Sequence, residues 1–236
     1  MIESLVAPAE IPVQEYIDDP QVGLGEMLTR MGLEGLTPEE RLVMVETATL
    51  DDYKSAADAL HRKVAPDHSH DEHPDAVKII DPKTGAVRHY TAAPAERDGI
   101  LSKALESAKL VVAKYRSEGG NIEDALQRCG NLAAFGIVLA HRYENGNGRT
   151  ARTMGELIHN GYDSSSQESV QDLAVVSANR PDKGFRINSY VPKGEWADSA
   201  NTRPLEFLDL VAALDQPLDG HSYAVAASGT FTTPRM

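Results

Sequence analysis

The sequence predicts an all-α fold, a helical bundle around a central helix–loop–helix, with one small β-hairpin. Three observations predict it. Apolar residues recur at three- and four-residue intervals in successive segments. One stretch, Leu132 to Ala140, is apolar on every face, as a helix buried at the centre of a bundle must be. Strand-forming residues around a turn occur once, over residues 77–91.

Residues 1–36 are rich in Pro, Gly and acidic side chains and read as an N-terminal arm with one short helix near Gly25–Met31. Thr37-Pro38-Glu39-Glu40 is a helix start, with Thr as cap, Pro at the first position and a carboxylate three residues after the cap. A second helix is expected over Asp51 to Val64. The polar segment 66–75, with His68, His70 and His73 among carboxylates, reads as a solvated loop, with a zinc or nickel site as the alternative; its spacing fits no specific metal motif. In 77–91, Val77, Ile79 and Ile80 supply one strand, Asp81 to Gly85 the turn, and Val87 and Tyr90 the return. An isolated hairpin in a helical chain has no sheet to join and tends to lie as a flap on something else.

A long amphipathic helix follows over Arg97 to Tyr115, stopped by Gly119-Gly120. Asn121 caps the next, which runs to about His141 and contains the all-apolar stretch. Arg149 to His159 reads as a further helix, Glu168 to Ala178 as another, and Leu205 to Leu214 as the last. Cys129 falls inside the apolar pattern and reads as core filler, Trp196 as a local packing anchor, His159 as a helix-end dipole partner, and Asp163, Glu168 and Asp172 as a solvated face.

Composition narrows the function. With 36 acidic against 23 basic residues the net charge is −13, a surface that repels a polyphosphate strand, so no nucleic-acid partner is expected. A single cysteine permits no internal disulfide and fits a reducing cytoplasm. The opening residues lack a basic start and a long apolar run, and no apolar run approaches the ~20 residues of a membrane span. A cytoplasmic protein without a membrane partner is expected; an effector translocated without a cleaved signal also fits.

The chemistry concentrates in His141-Arg-Tyr-Glu-Asn-Gly-Asn-Gly-Arg-Thr-Ala-Arg152. A buried helix ends at a histidine, a turn with two glycines follows, and a new helix starts with arginines in its first turns. Gly146 and Gly148 can take positive φ and let the backbone approach a ligand closely. The unpaired N–H groups at a helix start, with the helix dipole, favour an anion. Arg149 and Arg152, three apart, can fork onto phosphate oxygens, and Asn147 can donate its amide or cap the helix. His141 can take the proton of an attacking hydroxyl, because its ordinary pKa is near neutrality. No GxxxxGK[ST] loop is present.

This stretch resembles the signature of the Fic (Fic/Doc) family, HxFx[DE]GNGRxxR. His141, Gly146, Asn147, Gly148, Arg149 and Arg152 match it, and Tyr143 stands in for its phenylalanine. The resemblance covers roughly residues 40–180. It implies a Fic-type helical bundle with a hairpin flap ahead of the motif: a catalytic domain over 37–180 with the flap at 77–91, and a C-terminal extension over 181–236 with one helix. The reaction it implies is transfer of AMP from ATP to a Ser, Thr or Tyr hydroxyl of a protein substrate, with Mg²⁺. His141 would be the general base, Gly146, Asn147 and Gly148 would bind phosphates, and Arg149 and Arg152 would take the β- and γ-phosphates. The flap would register the target segment by strand addition.

One departure stands out: the acidic position associated with Mg²⁺ is Asn145, whose neutral amide is a weaker ligand. The rival readings are a Doc-like phosphotransferase, with the nucleotide reversed in the same cradle, and a nucleotide-binding regulator that has lost catalysis. The family's inhibitory pattern [ST]xxxE[GN] has no exact copy, since Glu34-Gly35 follows Arg30 and Glu118-Gly119 follows Lys114 at the required spacing. A separate small inhibitory protein, as in toxin–antitoxin pairs, is the partner this suggests.

Overall fold

The computed structural model describes residues 19, 21–80, 84–165 and 203–213, and among them the chain is mostly helical. Seven helices and two short strands follow in the order α1 (Leu24–Arg30), α2 (Pro38–Thr47), α3 (Leu50–Val64), β1 (Lys78–Ile80), β2 (Val87–Tyr90), α4 (Pro94–Glu118), α5 (Ile122–Ala140), α6 (Asn147–His159) and α7 (Pro204–Ala213). The helix expected at Glu168–Ala178, the anchor Trp196 and the carboxylate Asp172 lie outside the described residues.

Helix starts follow local chemistry. Thr37 and Glu40 form a reciprocal capping box at α2. Thr49 and Asp52 form another at α3, one residue earlier than the apolar pattern alone suggests. Such caps contribute about 1 kcal/mol each by satisfying orphan N–H groups. Helix α4 begins at Pro94 rather than Arg97, because Pro fits the first turn and the Glu96 carboxylate accepts from the Ala93 N–H at 2.9 Å. Its C-terminal stop is Gly119, at φ 77°.

Helix α5 is the axis of the fold. From Gly130 to Ile137 every side chain is buried, and it packs along α4 on one side and α6 on the other. The second contact is close because Gly130 faces Gly155: a Cβ on Gly130 would stand 2.6 Å from the Gly155 carbonyl oxygen. A similar approach brings Gly136 against Ala104 and the Tyr53 hydroxyl, which donates to the carbonyl of Ala133. Cys129 is buried in this core and its thiol is pushed up to about 12 by desolvation, so it is chemically inert filler.

The short helix of the N-terminal arm is not peripheral. Leu24, Met27 and Leu28 of α1 are buried in the same core as α2 to α6. The two strands pair antiparallel, Lys78 opposite Tyr90 and Ile79 opposite His89, with a register shift at Ile80. Thr91 closes their base by exchanging hydrogen bonds with Val77, through backbone N–H at 2.9 Å and side-chain oxygen at 2.8 Å. No helix among the described residues is long and apolar enough to cross a membrane.

Candidate active site

The run of apolar burial in α5 ends at His141. This residue closes the helix with φ 46° and ψ 54°, and among the described residues it alone takes positive φ without being glycine. Left-handed backbone at a residue with a Cβ costs about 1–2 kcal/mol. Such strain persists only where surrounding contacts hold it, and those contacts are visible on the following loop.

Arg142 is buried and donates from Nη1 to Oδ1 of Asp58 at 3.0 Å, with the Glu72 carboxylate 3.9 Å from its other nitrogen. Tyr143, 1% exposed, sends its hydroxyl to the same Asp58 oxygen. Burial, then the Asp58 charge, pushes the phenol far above its ordinary pKa, so it remains a donor. Its ring lies flat on the imidazole of His61, centroids 3.7 Å apart and planes 16° off parallel. The Nε2 of His61 is 2.8 Å from the carbonyl oxygen of Asn145. A carbonyl only accepts, so that nitrogen carries the proton; Nδ1, 3.0 Å from His70 Nδ1, then accepts.

Asn147 closes the loop from inside. Its buried side chain accepts from the Tyr143 N–H at 3.1 Å and donates to the Tyr143 carbonyl at 2.6 Å. One N–H and the oxygen of this amide, expected to meet a phosphate or cap the helix, are thus engaged with the turn. Asn147 can also offer an anion its main-chain N–H, one of those that a helix start leaves without an intrahelical partner.

Gly146, at φ 85°, turns the chain into α6. A Cβ there would stand 2.7 Å from both Ala65 and His61 Nε2, so glycine is required twice over, by backbone conformation and by space. Gly148 follows in the first turn. Arg149 donates from Nη1 to the carbonyl of Val64 at 2.8 Å, at the negative end of the α3 dipole. Arg152 lies a turn further on, its guanidinium beside Gly148, where an added Cβ would meet it at 3.5 Å. Burial, and secondarily the charge of Arg149, lowers the Arg152 pKa. Two cations sharing partly desolvated space at the positive end of a helix is an arrangement that an anion relieves.

No family profile, curated protein or solved structure matches this chain.

The expected site residues all lie on one helix–loop–helix: His141 at the exit of α5, Asn145 and Gly146 on the loop, and Asn147, Gly148, Arg149 and Arg152 on the first turns of α6. Asn145 is exposed; the backbone carbonyl that it presents to His61 is already engaged. Four supporting residues were not anticipated from sequence: Asp58 and His61 on α3, Glu72 in the polar loop, and Arg97 on α4. Arg97 is fully buried and donates to Glu72 at 3.1 Å and to the carbonyls of His73 and Asp75 at 2.5 and 2.8 Å. The polar loop is thus pinned, and its His73 N–H donates to the Arg142 carbonyl at 2.7 Å. Asp58 and His61 lie three apart, on one face of α3.

Whether the site suits Mg²⁺ is a question of donors. Mg²⁺ is held by one or two carboxylates together with phosphate oxygens and water. Among the described residues no three His, Cys, Asp or Glu side chains converge on a point. The side chain at the relevant position, Asn145, is a neutral amide. A neutral amide is a weaker Mg²⁺ ligand than a carboxylate, and phosphate oxygens and water would supply most of the coordination.

Proposed function

We propose that this chain is a Fic-type protein adenylyltransferase, moving AMP from ATP to a Ser, Thr or Tyr hydroxyl of a target protein. The observation that carries the reading is the geometry of α6: a helix start opened by Gly146 at positive φ, with Arg149 and Arg152 crowded together behind it. That constellation suits a polyphosphate, and the strained His141 stands at the end of the helix that leads into it.

In this mechanism the helix-start N–H groups and the two arginines hold the β- and γ-phosphates, fixing the α-phosphorus. His141 takes the proton from the target hydroxyl. The hydroxyl oxygen forms a bond to the α-phosphorus as the bond from that phosphorus to the bridging oxygen breaks, and pyrophosphate leaves. The arginines and main-chain N–H groups stabilise the charge that builds on the leaving oxygens. The strand pair 78–90 precedes the motif, where a flap would align a target segment by main-chain pairing.

Incubating the protein with α-labelled and γ-labelled ATP and a cell lysate tests the reading. Label reaching protein only from the α position supports AMP transfer. Label only from the γ position replaces it with phosphotransfer from a reversed nucleotide. Binding of ATP without either transfer makes the chain a nucleotide-binding regulator.

A further inference from the structure

A second site lies away from the phosphate cradle, between α1, α2, α3 and α6. It is a cavity of about 200 Å³ lined by apolar side chains together with Tyr53 and one carboxylate, Asp52. Its most distinctive lining is methionine. The chain has six methionines, two of them terminal, and the four internal ones, Met27, Met31, Met44 and Met154, all line this space. Methionine is unbranched, flexible and polarisable, and it is the side chain best able to reshape around an apolar guest.

Size and polarity define the guest. An apolar cavity of about 150 Å³ stays dry and accepts benzene, so this one has room for a ring with a short alkyl arm. Tyr53 also lines the space, and its hydroxyl spends its one proton on the Ala133 carbonyl, so it gives a ligand no donor. Depth is marked by the buried Met27 and Met154, and the entrance by the half-exposed Met31, Met44 and Ala56 and by the exposed Asp52. Asp52 is held ionised at that entrance, because the Thr49 hydroxyl and N–H both donate to it. A carboxylate there repels an anionic head and tolerates a neutral or cationic one.

We infer that this methionine-lined cavity is a binding site for a small aryl-alkyl molecule with a neutral or cationic head. It is independent of the nucleotide reading, and its ligand enters between α2 and α3.

The test titrates the full chain, labelled at its methionine methyl groups for NMR, with butylbenzene, 4-phenylbutylamine and 4-phenylbutanoate. These share one apolar body and differ in the head. The neutral and amine probes are expected to shift the signals of the four internal methionines, with the anion binding several-fold more weakly. An Ala56→Leu variant, which fills the entrance, is expected to weaken the first two by about tenfold. Absence of shifts with every probe, or equal binding of anion and amine, overturns the site. The probe comparison on the unaltered chain decides this even if Ala56→Leu does not fold.

Discussion

His61 Nε2 donates to the main-chain carbonyl of Asn145 across 2.8 Å, linking the last turn of α3 to the loop of the motif. The same ring stacks on Tyr143 and touches Gly146, so one buried imidazole contacts three of the residues between the two helices. A His61→Phe variant keeps the stacking and the apolar volume but removes the donor. Leaving that carbonyl without its partner should destabilise the protein by about 1–3 kcal/mol, read from urea unfolding. An unchanged midpoint would mean that the loop holds itself.

The same residue gives a pH dependence. Burial, the largest cause, lowers the pKa of His61, and burial likewise lowers that of His70. The unfolded chain therefore takes up protons first as pH falls. The stability concerned is fully present above the ordinary histidine value of about 6.5 and is lost as pH drops through it towards the folded values. Unfolding at pH 7.5 and pH 5.5 should show this loss in the parent and a smaller loss in His61→Phe. Equal losses in both would assign the effect to other groups.

Two glycines of the motif should respond differently to alanine. At Gly146 a Cβ meets Ala65 and His61 at 2.7 Å with φ at 85°, and Gly146→Ala should cost at least about 1–2 kcal/mol. At Gly148 the nearest contact would be an ordinary 3.5 Å to Arg152, and Gly148→Ala should leave thermal stability within about 1 kcal/mol of the parent. Similar melting shifts for the two would show that the loop is not packed as described.

Arg152→Ala and Arg149→Ala should each weaken ATP binding by about ten- to a hundredfold, the worth of a charge-assisted hydrogen bond of about 1.5–3 kcal/mol. Arg149→Ala should in addition lower stability, since it releases the Val64 carbonyl. Titration of a fluorescent ATP analogue separates the two effects. Unaltered affinity in both variants would remove the phosphate from this helix.

Asn145→Asp supplies the missing carboxylate without disturbing the main-chain bond to His61. It should raise the Mg²⁺-dependent rate of label transfer from ATP. A fall in that rate would show that the neutral amide suits the substrate.

The helices were largely legible in the sequence because periodicity and capping are local. Thr37, Asn121 and the all-apolar run of α5 announce themselves within a few residues. The candidate site was legible as a string, but its support was not. That Asn147 would be consumed inside the turn depends on a φ of 85° at Gly146 and a left-handed His141 acting together, and no spacing rule encodes that combination. That Arg97 would be fully buried depends on a loop folding back over α4 to offer it two carbonyls. Polar residues read singly look solvated; their partners, 22 to 85 positions away, decide otherwise.

The most direct test of the central claim compares His141→Ala with the parent, using α-labelled ATP and a protein target. Loss of the general base should reduce transfer by about 10²–10⁴ while ATP affinity and melting temperature stay close to those of the parent. Transfer at the parental rate by His141→Ala would contradict the account.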